Sequence, residues 1–126
     1  MTRRREERGS ASVIAASVLV VLLVLAMGAA DVAKVLVGVG RAQTAADAAA
    51  LAAAQEQVAP SGRDPADLAA DFARRNGAQL EECDCPAGGT EAGVSVSLRV
   101  SGLLLFGGTR VIHGRARAVV DWAGAG

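Results

Sequence analysis

The chain of 126 residues has room for one small domain, and its formal charge is zero, with 13 basic and 13 acidic residues. That balance leaves no electrostatic footprint for nucleic acid, and the aromatic set of Phe72, Phe106 and Trp122 offers no stacking surface for single strands. Lys34 is the sole lysine among many arginines, and Ala and Gly dominate, so the elements are expected to pack closely rather than bury large side chains.

Residues 10–30 carry no charge, and from Val13 to Met27 the chain is almost wholly apolar. As a helix, 21 residues at about 1.5 Å each span roughly 31 Å, the depth of a bilayer's hydrocarbon core. Arg3, Arg4, Arg5 and Arg8 precede this segment against Glu6 and Glu7, while Asp31 and Lys34 after it cancel. The positive-inside rule makes residues 1–9 a basic cytoplasmic leader and residues 10–30 a single span of the cytoplasmic membrane, in contact with lipid. Everything beyond is then extracytoplasmic. Three fates are open to the segment. A signal peptidase would cut near Ala30, after the small residues Gly28 and Ala29. A signal anchor would stay uncut. Cleavage on the cytoplasmic side, between Gly9 and Ser10, would leave the apolar run on the mature chain. The lack of a cysteine near the end of the run argues against a lipoprotein anchor.

Helix-forming sequence continues through residues 31–59 without proline. Val32, Leu36, Val39, Ala46, Ala50 and Ala53 recur at helical intervals as an apolar stripe, with Asp31, Lys34 and Arg41 near another side. Gln43 interrupts the stripe, and Gly38 and Gly40 each weaken the helix by roughly 1 kcal/mol relative to Ala. Pro60, Ser61 and Gly62 end it. The whole helix, from Ser10 to Ala59, would measure about 75 Å.

Residues 60–126 are expected to form a small α+β domain. Asp64 is placed to cap a short helix from Pro65 to Asn76, with Leu68 and Phe72 on one face and Asp71 near Arg74 and Arg75 on the wet side. Asn76-Gly77 stops it. The period then changes to two. Val94, Val96, Leu98 and Val100 alternate with Ser95, Ser97, Arg99 and Ser101. Ile112, Gly114, Ala116, Ala118, Val120 and Trp122 alternate with His113, Arg115, Arg117 and Asp121. The small side chains at Gly114, Ala116 and Ala118 would admit a helix to close approach, and the alanines between 45 and 54 would supply it. A weaker strand falls at residues 79–84. The sheet is expected to be antiparallel, although residues 102–108 are many for a hairpin.

Few residues point to chemistry. Cys83 and Cys85 flank one residue, and in an oxidising compartment a local disulfide, an intermolecular one and free thiols all stay open. His113, the one histidine, completes no zinc ligand set with them. It stands beside Arg115 on a polar strand face with no acid in a triad pattern. Glu6-Glu7 and Glu81-Glu82 read as solvated charges, and Arg110, Arg115 and Arg117 as a solvated basic face. No catalytic, cofactor-binding or metal-binding residue is expected, and the chain reads as non-enzymatic.

The run Gln43-Thr44-Ala45-Ala46-Asp47-Ala48-Ala49-Ala50-Leu51-Ala52-Ala53-Ala54 resembles the stretch just outside the membrane helix in TadE/TadG-like proteins of tight-adherence (Flp) pilus assembly systems. Glu7-Arg8-Gly9-Ser10-Ala11-Ser12-Val13 looks like the same family, as do Phe72-Ala73, Asn76-Gly77 and the alternating valines. The resemblance implies a pilin-like fold, with a long transmembrane and stem helix packed on a small antiparallel sheet plus one short helix. It implies a pseudopilin or minor-pilin role, other pilus or secretion assembly proteins as partners, and a prepilin peptidase acting at Gly9 and Ser10. Prepilins of this group carry Glu five residues after the cleavage point, where this chain has Ile14. That departure implies an accessory subunit rather than a polymerising one. A small binding domain, released near Ala30 or kept on its anchor, is the alternative reading.

Overall fold

The computed structural model describes residues 3–121, with side chains described from residue 9 onward. Five elements follow in order: α1 (Arg3–Val58), α2 (Pro65–Arg75), β1 (Gln79–Asp84), β2 (Glu91–Val100) and β3 (Arg110–Val119). The strands form one antiparallel sheet in the order β1-β2-β3. The α+β class and the three-stranded sheet are as the sequence leads one to expect. Helix α1 starts seven residues earlier than Ser10, because neither a proline nor a capping sequence interrupts the basic leader. Its 56 residues make a rod of about 84 Å.

The packed side of α1 keeps the alanine half of the expected stripe, Ala46, Ala50 and Ala53, and departs from it nearer the apolar segment. Val32, Leu36 and Val39 are exposed, whereas Asp31, Gly38, Ala42, Ala45, Ala46, Ala49, Ala50 and Ala53 are buried. These recur at intervals of three and four, one helical face. Side-chain size decides the matter. The sheet comes so close that only alanine and glycine fit beneath it, and the larger Val and Leu side chains turn outward. Gly114 marks the closest approach, since a Cβ there would lie 2.6 Å from the Ala42 carbonyl carbon and 3.1 Å from the Gln43 nitrogen. Gln43, which interrupts the apolar pattern, uses its amide nitrogen to reach the Arg115 carbonyl at 3.0 Å and the Asp47 carboxylate at 2.9 Å.

The same preference for small side chains governs α2. The Asp64 carboxylate accepts from the Ala66 N–H at 2.7 Å, capping the helix ahead of Pro65. Its buried residues are Ala69 and Ala73, and Leu68 and Phe72 sit half-buried beside them. The buried face is thus rotated by one residue from the expected one, again because alanine lies on alanine. Asp71 pairs with Arg75 at 2.9 Å and with Arg74 at 3.4 Å, and the Arg75 guanidinium lies over the Phe72 ring.

In the sheet, Val94 faces Ala116, Val96 faces Gly114 and Leu98 faces Ile112, all toward α1. The alternation along β3 holds from Ile112 to Val120, while Trp122 lies outside the described residues. Strand β1 pairs with β2 through a register shift between Leu80 and Glu82.

Candidate functional site

From Gly9 to Leu25 the described helix has no tertiary partner, and its large apolar side chains are exposed, Val13 and Leu19 each at 69%. So large a contiguous apolar surface marks a contact with lipid or protein. By length and composition the segment is apolar enough to cross a membrane. Gly9 and Ser10 lie near its start, exposed, with nothing within 4 Å of a Cβ added at Gly9.

Partial burial begins at Met27, Gly28 and Ala30, with Gly28 near Leu105, and becomes complete at Asp31. Asp31 is 1% exposed although charged. Its carboxylate accepts three backbone N–H groups from the loop between β2 and β3: Leu104 at 2.6 Å, Leu105 at 2.7 Å and Phe106 at 3.1 Å. Burial pushes the Asp31 pKa up, but the three donors and nearby Lys34 outweigh it and hold the carboxyl below its ordinary value. The Lys34 ammonium donates to the Gly102 carbonyl, a second tie on the same loop. Leu103 is buried beneath the loop, while Leu104, Leu105 and Phe106 remain exposed. An apolar loop tip is thus strapped to the helix where the uncharged segment ends.

At the other end of α1, Glu56 plays a similar part for the turn into α2. It accepts from the Ser61 N–H at 2.7 Å, the Ser61 hydroxyl at 2.8 Å and the Arg63 N–H at 3.1 Å. The Ser61 hydroxyl contributes most to lowering the carboxyl's pKa, against the opposing effect of burial and with help from the backbone donors. Neighbouring Gln57 donates to the Pro86 carbonyl at 2.7 Å and the Glu91 carbonyl at 3.1 Å. The sequence reading missed all three of these buried polar anchors. The available signals were the first acid after the apolar run for Asp31, and Ser61 five residues beyond Glu56.

Cys83 and Cys85 are joined in the structure, with Cα atoms 5.3 Å apart, where β1 ends beside the core. They lie far along the chain from Gly9 and Ser10, and no site brings the two pairs together. A ring closed over so few residues removes little chain entropy. Replacing both cysteines by serine is therefore expected to cost only about 1–2 kcal/mol, measured as a shift in thermal midpoint with and without reductant. His113 and Arg115 point to the open face of β3. Arg117 there pairs with Glu91, and Glu81 accepts from the Ser97 hydroxyl. Among the described residues, no group of three or more His, Cys, Asp or Glu side chains gathers to hold a metal ion.

The chain is, in class, a small α+β domain carried on a long apolar stem. Residues 9–56 match a protein-family model described as putative Flp pilus-assembly TadE/G-like, so the stem of this chain is similar to that family. The match ends before α2, so the likeness noted at Phe72-Ala73, Asn76-Gly77 and the alternating valines lies outside it. No curated protein and no solved structure matches the chain. That similarity suggests involvement in Flp pilus assembly, and the apolar helix suggests a membrane anchor.

Proposed function

We propose that the chain is a single-pass accessory component, pseudopilin- or minor-pilin-like, of an Flp-type pilus assembly or secretion system. Residues 1–9 form the cytoplasmic leader and residues 10–30 the span. Residues 31–59 continue the stem outside the cytoplasm, and residues 60–126 form the extracytoplasmic domain. The role is assembly rather than catalysis, through contacts with lipid and with other pilin-like or secretion proteins. Prepilin peptidase is the processing partner at Gly9 and Ser10.

The observation that carries this reading is the continuity of α1. One unbroken helix is bare and apolar over residues 10–25, then passes without a hinge into the alanine-lined core. Released signal peptides have no such partner role, whereas Gly28 here lies against Leu105. The accessory assignment rests on the family resemblance, with Ile14 in place of the Glu of polymerising subunits. Oxidation of Cys83 and Cys85 fits an extracytoplasmic domain.

Intact mass of the protein extracted from membranes tests the proposal. The expected result is a chain that retains residues 10–30, shortened after Gly9 or left full length. A mature N-terminus at Asp31 would overturn the anchored reading in favour of a secreted binding domain. Protease added to intact spheroplasts is expected to digest residues 60–126 and spare the leader.

A further inference from the structure

We propose that the loop tip at residues 104–106 is a second membrane contact, seated at the boundary between headgroups and acyl chains beside α1. The inference rests on the membrane-span reading of residues 10–30 and adds to it a surface of the folded domain. Three observations carry it.

The first is height. The tip is bound through its backbone to Asp31, the residue that follows the last uncharged position of the span. Leu105 reaches back further, since a Cβ added at Gly28 would lie 3.5 Å from its Cδ2 atom. Gly28 stands about 4.5 Å, three residues, inside the apolar segment. A bilayer that covers the span therefore meets this loop.

The second is composition. Leu104, Leu105 and Phe106 are consecutive, and they are 56%, 44% and 61% exposed. Turn tips in water are built from polar residues, and this one is built from the residues that interfacial membrane anchors use. Arg99 and Arg110, both exposed, stand at the same end of the β2–β3 hairpin, near the height at which Lys34 binds Gly102. Cations there would meet headgroup phosphates.

The third is the state of the backbone. In a low-dielectric layer every unsatisfied backbone N–H or C=O is costly, and at the headgroup boundary the carbonyls can still meet water. All three N–H groups of the tip are bonded to one carboxylate, which leaves the side chains as the outward surface. A buried aspartate at a domain's edge is otherwise a costly choice, and here it desolvates the tip's amides in advance.

The test uses the full chain in lipid vesicles, with Trp122→Phe removing the native indole. Single tryptophans are introduced by Phe106→Trp, Leu22→Trp and Leu51→Trp, all exposed positions where the ring fits without repacking. Fluorescence is quenched by lipids carrying a spin label either near the headgroup or near the acyl terminus, and by aqueous iodide. For F106W, the shallow label is expected to quench at least about twofold more than the deep one, with iodide excluded. L22W should respond to the deep label and L51W to iodide alone. If L22W responds to the deep label while F106W responds only to iodide, the loop contact is overturned and the anchor stands. If L22W is also quenched only from water, both readings fall.

Discussion

Adding a single methyl group at Gly114 is expected to destabilise the domain by about 3 kcal/mol, at the upper end of what overpacking costs. The new Cβ would lie 2.6 Å from the Ala42 carbonyl carbon and even closer to its oxygen. Those are backbone atoms of a helix, so no rotamer change relieves the clash. Either β3 or the stem must retreat, and either movement strips contacts from the alanine row. Gly38→Ala provides the comparison. A methyl there would meet the Val100 and Ile112 side-chain ends at 2.6 and 2.8 Å, side-chain atoms that can give way at less cost than backbone. Replacing a helical glycine also recovers up to about 1 kcal/mol of helix propensity. Pulse proteolysis of the detergent-solubilised full chain should give a small effect for Gly38→Ala and a severe one for Gly114→Ala. Equal effects would show that the helix–sheet contact is less rigid than the structure indicates.

The second large effect concerns the strap. Asp31→Ala should raise hydrogen exchange at the amides of Leu104, Leu105 and Phe106 by at least about tenfold, because charge-assisted bonds to all three vanish together. The sheet should survive, since β2 and β3 are held by their contacts with α1. Asp31→Asn keeps one acceptor oxygen and should fall between the two. The native carboxyl's pKa is lowered in the folded state from an ordinary value of 3.8. The strap's contribution is therefore complete above that value and is lost as pH falls through the lower folded one. Loop protection should be flat from neutral to mildly acid pH and collapse only in strong acid. Protection that fell near pH 6 would point to a different group.

The sequence displayed the elements more plainly than the surfaces by which they meet. The change to a period of two located β2 and β3 to within a few residues, and the start at Asp64-Pro65 and stop at Asn76-Gly77 located α2. The packed face of α1 was legible only in its alanine run, residues 45–54; nearer the apolar segment a hydrophobicity pattern ranks Val32, Leu36 and Val39 above Gly38 and Ala42. The sheet instead selects by volume, and it buries the smallest residues. The polar anchors were hidden for a related reason. Asp31 and Glu56 look like surface acids until the chain's return from residue 104 and from residue 61 supplies their donors. The Asp31 pairing, made across 73 residues, has no local signature, whereas Glu56 meets Ser61 only five residues on. Gln43 belongs with them, an apparent flaw in an apolar stripe that proves to be a fastening to β3.

The unbroken passage of α1 from Arg3 to Val58 has a geometric consequence. Each residue of an α-helix advances the azimuth by about 100°, so the number of residues between Ser10 and Ala42 sets the direction in which the domain faces. Whatever neighbour grips one flank of the embedded portion thereby dictates which flank of the sheet is presented above it. Insertion of one residue within residues 10–25 would leave every internal contact of the domain intact and still swing it by more than a quarter turn relative to that neighbour.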